Sequence, residues 1–359
     1  MTTVATPYGA DGAEMLDDAR VKELLNQGFS FGLIKALQSN KECFHYRIWI
    51  VDNSGSMAIG DGRTFALTSK GKIEARYVTR WEEIQETVLY HAELAGTLGM
   101  TTNFRLLNPV NNEPDEFTVF ANGHDGVNQE LRRGRNVINR AKPTGVTPLT
   151  AHILHIEQQI QEIADSLRER GQRITVVLAT DGLPTDDEGG ESEEVFQDFI
   201  SALRMLEGLP VWVVIRLCTN EKKVTEFYNQ IDEVLEFNLE VLDDYLDEAK
   251  EVYKHNKWLN YALPMHRCRE LGYHDRLFDL LDERRLGIDE LRSFFSLLFG
   301  TELHRIPDPT VEWKTFLQFV QDSLEREKVQ WDPVKKKSLP WVNLKLLNKC
   351  YGKGTCSVM

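Results

Sequence analysis

The chain has 359 residues, of which 42% are hydrophobic and 27% are charged, so it is long enough for one large and one smaller domain and is not intrinsically disordered. No run of about 18 apolar residues occurs, so no transmembrane helix is expected, and the N-terminus lacks the layout of a signal peptide. The cysteine usage favours a reducing, cytoplasmic environment. The net charge of −14 argues against nucleic acid as a partner, and five scattered cysteines without a CxxC pair indicate neither a zinc site nor a disulfide framework.

The predicted elements alternate between strands and helices. After one or two helices within residues 1–39, an aromatic and β-branched stretch predicts a strand at 44–52, and the alternating residues 60–78 predict a β-hairpin insertion. Further strands are predicted at 102–108, 116–121, 173–181, 210–218 and 233–238. Helices are predicted at 79–99, 126–141, 147–171, 191–207 and 242–255, with one more before the last strand.

This alternation predicts a doubly wound, Rossmann-like α/β domain over residues 40–255, preceded by the helical extension 1–39. Residues 256–327 contain helical stretches but no strong strand, and they predict a smaller helical domain. Its predicted core consists of Leu277, Phe278, Leu280, Leu281, Phe294, Phe295, Leu297 and Leu298. Residues 328–359 are interpreted as a basic tail.

The first strand ends in a group of oxygen-bearing side chains, in the sequence RIWIVDNSGSM. Asp52, Ser54 and Ser56 alternate along the backbone, and Gly55 permits a tight turn between the two serines. A carboxylate and two hydroxyls are hard ligands, which suit Mg2+ or Mn2+ better than Zn2+ or Cu2+. Since ligands of such sheets bind at the carboxyl ends of the strands, we interpret this stretch as half of a metal site.

Other readings of this loop fit less well. An EF-hand loop that began at Asp52 would need glycine and glutamate where Met57 and Arg63 stand. A haloacid-dehalogenase-type phosphotransferase would place a second aspartate at position 54, and a serine hydrolase would need a G-x-S-x-G frame, which Ser56 lacks. A turn in which these side chains only satisfy backbone groups remains open on this segment alone.

Two later segments supply further oxygen atoms. PTGVTPLTAHI places Thr147 in a glycine-bent loop before a helix, and VLATDGLPTDD ends a buried strand at Asp181. The order strand–DxSxS, loop threonine, strand–TDG resembles the von Willebrand factor type A (vWA) domain and its metal-ion-dependent adhesion site (MIDAS). The resemblance covers about residues 44–255.

The resemblance implies that Ser54 and Ser56 are direct ligands of Mg2+, or of Mn2+ or Ca2+, and that Thr147 is a ligand in some states. It implies that Asp52 and Asp181 act directly or through water. One coordination position is then open to an Asp or Glu of a protein partner, so the predicted function is metal-dependent protein binding, as a scaffold or adaptor without catalysis.

Three alternatives to this function remain. The first is a Mg2+-dependent phosphatase or phosphotransferase on a similar sheet, although the nucleophile-plus-acid pair is missing. The second is a site whose metal only stabilises the fold. The third is a site filled from within the chain, for example by residues 60–78.

The C-terminal segment predicts attachment to a membrane. Residues 328–359 contain seven lysines and one acid, so they carry +6 while residues 1–327 carry −20. The chain ends in Cys356-Ser-Val-Met, which matches a CaaX prenylation motif that favours farnesyl transfer to Cys356. The lysines would add attraction to an anionic leaflet, and Trp341, Leu344, Leu346 and Leu347 would lie at its interface. An unmodified tail is the alternative.

Overall fold

The computed structural model describes residues 16–67, 73–110, 114–235 and 238–352. These residues divide into two compact units. The sheet unit comprises the described residues within 1–16, 41–64 and 75–242, and the helical unit comprises those within 17–40, 65–74 and 243–359. None of the helices in the described ranges combines the length and apolar content that a bilayer span needs.

A six-stranded mixed sheet forms the centre of the sheet unit, which confirms the predicted α/β class. Its strands are β1 (Phe44–Val51), β4 (Thr102–Leu106), β5 (Glu116–Val119), β6 (Arg173–Thr180), β7 (Val211–Leu217) and β8 (Leu239–Leu242). The strand order is β5-β4-β1-β6-β7-β8, and every pair is parallel except β4 with β5. Within the segment 60–78, where a hairpin was predicted, β2 (Gly62–Leu67) and β3 (Ile73–Val78) pair with each other in a separate two-stranded sheet, and residues 68–72 lie outside the described residues.

Apolar residues of β1 enter two different clusters, because successive side chains of a strand point to opposite faces. Ile48 and Ile50 pack in one cluster, whereas Trp49 and Val51 pack in the other. The first cluster includes residues of α5 (Leu149–Glu169), α6 (Glu193–Arg204) and α7 (Lys222–Val234). The second includes residues of α3 (Arg80–Leu98) and α4 (Gly123–Arg140). Helices therefore flank the sheet.

One predicted strand of the sheet unit was wrong. Residues 233–238 were expected to be extended, but α7 continues to Val234 and the last strand is Leu239–Leu242. Residues 233–238 and 239–242 are both rich in apolar residues, so the hydrophobic pattern alone does not show which of them forms the strand. The choice is made by pairing, since β8 aligns Leu239 with Val213 of β7.

The helical unit combines helices from both ends of the chain. They are α1 (Asp18–Gln27), α2 (Phe31–Cys43), α8 (Tyr245–His255), α9 (Leu263–Glu270), α10 (Arg276–Glu283), α11 (Ile288–Phe299), α12 (Trp313–Leu324) and α13 (Leu344–Tyr351). Six of the eight predicted core residues are buried, and Leu277 and Leu297 are partly buried. A methyl group placed on Gly32 would lie 1.9 Å from the carbonyl oxygen of Leu297, so the N-terminal helix α2 packs backbone to backbone against α11.

Part of the segment interpreted as a basic tail is folded. It contains α13 and the small hairpin of β9 (Gln330–Asp332) and β10 (Lys337–Leu339). Trp341 and Leu347 are fully buried in the helical unit, so the expectation that they lie at a membrane interface was wrong. Their apolar surface is needed for the core. Cys356 and the residues around it lie outside the described residues.

Candidate metal centre

Two neighbouring parallel strands deliver the two carboxylates to the same edge of the sheet. Asp52 follows β1 and Asp181 follows β6, and these strands pair in register as far as Val51 and Ala179. The amide of Asp52 donates to the carbonyl of Ala179 at 2.9 Å, which extends the ladder by one residue. The predicted position at the carboxyl end of the sheet is thus observed for both aspartates.

The carboxylate of Asp52 is fully buried and held at both oxygens. Its Oδ1 accepts a hydrogen bond from the amide of Ser54 at 2.7 Å, and its Oδ2 accepts one from the hydroxyl of Thr180 at 2.6 Å. Burial, with a contribution from the nearby charge of Asp181, raises the pKa of Asp52 to about 6. Ionisation of both Asp52 and Asp181 in this buried site therefore costs free energy, and a cation close to both carboxylates would lower that cost.

Ser54 and Ser56 lie beside the carboxylates on a short 3-10 turn. Their Oγ atoms are 3.0 Å apart, and Ser56 Oγ donates to Asp181 Oδ1 at 2.8 Å. The turn is fixed because Met57, which follows Ser56, is fully buried. Two neighbouring oxygens of an octahedral Mg2+ ion also lie about 3 Å apart, so the spacing of this hydroxyl pair fits that ion.

Thr147 is brought to the same place from a third segment. A methyl group placed on Gly182 would lie 3.5 Å from Thr147 Oγ1 and 4.0 Å from Ser56 Oγ, so both hydroxyls border the small space beside this glycine. The amide of Thr147 donates to Thr185 Oγ1 at 2.9 Å, which ties this loop to the segment after β6. The structure therefore assembles all five predicted residues.

Sequence reasoning missed the asparagine pair that holds the loops together. The Asn53 side chain accepts from the amide of Asn108 at 2.7 Å and donates to its carbonyl at 3.0 Å. Asn108 in turn donates to the carbonyl of Val146 at 2.8 Å. Gly145 is in the left-handed region at φ 86°, where a methyl group would lie 2.4 Å from Asn108 Oδ1. The only available signal was the position of Asn53 inside the DxSxS motif.

A second missed residue is Arg80, the first residue of α3. Its guanidinium is buried and donates to Asp181 Oδ2 at 2.9 Å, and it also contacts Asp61 and Glu221. The hydrogen bond from Arg80 opposes the effect of burial, which raises the pKa of Asp181. A lone arginine at a helix start carries no sequence signal for this role, since its partners lie 19, 101 and 141 positions away in the chain.

The donor set suits a hard divalent cation. It consists of two buried carboxylates and three hydroxyls, and within the described ranges, this site included, no group of three or more His, Cys, Asp or Glu side chains is placed to hold a metal. With only two acids, Mg2+ would keep part of its water shell or accept a ligand from outside. Comparison with protein families and with curated proteins gave no match, so the interpretation of the site depends on its own residues.

Proposed function

We propose that the sheet unit is a vWA domain and that this site is a MIDAS, which binds Mg2+ and through it an acidic residue of a protein partner. The observation that carries the proposal is the connected oxygen cluster. Ser54 Oγ contacts Ser56 Oγ at 3.0 Å, and Ser56 donates to Asp181 at 2.8 Å. Asp52 and Thr147 border the same cluster.

The residues of such a site would have two different roles. The hydroxyls of Ser54, Ser56 and Thr147 would contact the ion, while Asp52 and Asp181 supply the negative charge that favours a cation there. The bound ion would supply a Lewis-acidic position for a carboxylate, and three neutral hydroxyls leave it electron-poor. Binding would then be ligand exchange, in which a partner's Asp or Glu replaces water.

An apolar residue next to the site supports a protein rather than a small anion as the ligand. Ile59 directly follows the 3-10 turn that carries Ser56, and 44% of its surface is exposed. Its amide donates to the carbonyl of Ser56, so its position is coupled to the metal loop. A partner that covers Ile59 would gain apolar burial in addition to the bond to the ion.

Binding rather than phosphoryl transfer is favoured by the immediate surroundings of Asp52. A haloacid-dehalogenase-type phosphotransferase would need a second acid two residues after its nucleophile, but position 54 holds a serine whose hydroxyl contacts Ser56. The nearby Asp181 already accepts hydrogen bonds at both oxygens, from Ser56 and Arg80. Both oxygens of Asp52 already accept hydrogen bonds, from Ser54 and Thr180. This arrangement is typical of a charge that supports a cation rather than of an attacking group.

A pull-down from eukaryotic lysate tests the binding function. We expect wild-type protein to retain a specific partner in Mg2+ and to release it in EDTA. The variant Asp52→Ala/Ser54→Ala is expected to retain none, because it lacks one charge and one direct ligand. The matched control is Asp165→Ala/Ser166→Ala on the exposed surface of α5. Equal capture by the site variant and the wild type would contradict the proposal.

We propose in addition that Cys356 is farnesylated and attaches the protein to an anionic membrane. This proposal is supported only by the CaaX match and the seven lysines of residues 328–359. Two of these lysines are already engaged, since Lys335 pairs with Asp332 at 2.8 Å and Lys328 donates to Asn26 at 2.7 Å. The hydrogen bond to the neutral Asn26 leaves the charge of Lys328 in place, so only the pairing of Lys335 with Asp332 reduces the charge that is available for attachment.

Metabolic labelling tests the lipid attachment. Cells given a farnesyl analogue are expected to label the wild-type chain and not the Cys356→Ser variant, with Cys350→Ser as the matched control that keeps its label. Labelling of the Cys356→Ser variant, or none of the wild type, would reject the modification.

A further inference from the structure

Arg80 shares its charge among three carboxylates. Nε and Nη2 form a two-pronged contact with Asp61 at 2.7 and 2.8 Å, Nη1 donates to Asp181 Oδ2 at 2.9 Å, and Nη2 donates to Glu221 at 2.8 Å. The arginine side chain is only 1% exposed. One buried cation therefore contacts a carboxylate of the candidate metal centre directly.

The three acids differ in how strongly they act on the site. The side chains of Asp61 and Glu221 are 54% and 56% exposed, so water screens their charges, whereas Asp181 is fully buried. The buried charges in contact with or within the oxygen cluster are thus the carboxylates of Asp52 and Asp181 and the guanidinium of Arg80, while the buried pair of Glu83 and Arg216 carries no net charge. Together the first three groups amount to one net negative charge when both aspartates are ionised.

The position of Arg80 is energetically unfavourable for a cation, so its pairing with the exposed acids does not by itself explain why it is buried there. It occupies the first turn of α3, where the helix dipole disfavours a cation, and burying a guanidinium costs solvation energy. Asp61 and Glu221 could pair with an arginine whose side chain stays exposed to water, so they do not require Arg80 to be buried. The contact with Asp181 instead turns the charge towards the oxygen cluster, and it occupies the carboxylate oxygen that Ser56 leaves open.

We propose that Arg80 is a positioning residue that keeps Asp181 out of direct contact with the metal and leaves the loaded site one positive charge in excess. This inference rests on the proposed metal-binding function. A divalent ion would change the buried net charge from −1 to +1, and a partner carboxylate would then neutralise it. Without Arg80 the two aspartates would neutralise the ion by themselves. Arg80 thereby makes binding of the ion and binding of the acidic partner depend on each other.

Titration of the full-length protein with Mn2+ alone, at pH 8 and followed by calorimetry, tests this role. Arg80→Gln removes the charge, and we expect about tenfold tighter Mn2+ binding because repulsion between the guanidinium and the ion is lost. Arg80→Met removes the same charge with a different side chain, and it decides the matter if the glutamine variant does not fold. Arg80→Lys restores the charge and is expected to bind Mn2+ as the wild type does. Arg135→Gln, which changes an exposed arginine paired with Glu93, is the matched control.

A second measurement starts from the wild-type protein, which needs no variant to fold. Saturating acetate, as a minimal carboxylate, is expected to tighten Mn2+ binding to the wild type, and to do so less in Arg80→Gln. Unchanged or weaker Mn2+ affinity in the folded charge-removing variants, or no effect of acetate on the wild type, overturns the inference about Arg80. Absence of Mn2+ binding to the wild type would instead overturn the proposed metal site.

Discussion

Replacement of Asp52 by asparagine is expected to lower the affinity for Mg2+ and Mn2+ by about 100-fold or more. The change removes one of two buried negative charges while the side-chain shape is kept, so the amide of Ser54 can still donate to the side-chain oxygen. A loss of about 3 kcal/mol of binding free energy corresponds to this factor, and a buried charge close to a divalent ion contributes at least that order. Calorimetric titration with Mn2+ measures it.

The same variant has a second expected effect that separates lost binding from misfolding. Burial raises the pKa of Asp52 from 3.8 to about 6, so the metal-free fold is favoured while this group is protonated, and that stability is lost as the pH rises through about 6. The substituted asparagine never ionises, so in EDTA at pH 8 the Asp52→Asn variant should be more stable than wild type, by up to about 3 kcal/mol. Asp165→Asn, with a side chain 93% exposed, should change neither quantity. Wild-type Mn2+ affinity in Asp52→Asn would contradict the assignment.

Removal of Glu83 is expected to destabilise the sheet unit by about 3–5 kcal/mol. Glu83 and Arg216 are both buried, and Arg216 Nη2 donates to Glu83 Oε1 at 2.5 Å. The other oxygen of Glu83 accepts the amide of Arg63 at 2.8 Å. Glu83→Ala removes the carboxylate that compensates a buried guanidinium and leaves a cavity. Urea unfolding followed by far-UV circular dichroism measures the loss.

The matched control lies on the same helix. Glu93 of α3 pairs with Arg135, but both side chains are about half exposed, so Glu93→Ala should cost at most about 1 kcal/mol. If Glu83→Ala and Glu93→Ala lowered the free energy of unfolding by the same amount, the buried ion pair would not stabilise the fold more than the exposed pair, which would contradict the prediction.

The sequence predicted those parts of the site that a single strand end or loop defines. Asp52, Ser54 and Ser56 follow one strand and Asp181 follows another, so hydrophobic pattern and the rule of carboxyl ends place them together. Arg80 and Asn108 could not be found this way, because their roles depend on contacts between distant segments. The misplaced last strand has the same cause, since its register is set by pairing with β7. The prediction for Trp341 failed for a different reason. The many lysines around it led to the interpretation of a solvated tail, but its side chain is fully buried in the core of the helical unit.

The interleaved course of the chain has a consequence for biosynthesis. The helical unit needs segments from before residue 41 and after residue 242, so its first helices leave the ribosome about 200 residues before their packing partners exist. At typical elongation rates this delay is roughly 10–40 s. Leu24 and Leu33, fully buried in the finished protein, would be exposed to water meanwhile, and would invite chaperone binding or aggregation. A truncated protein that ends at residue 242 would expose this apolar surface permanently, unless residues 17–40 are removed as well.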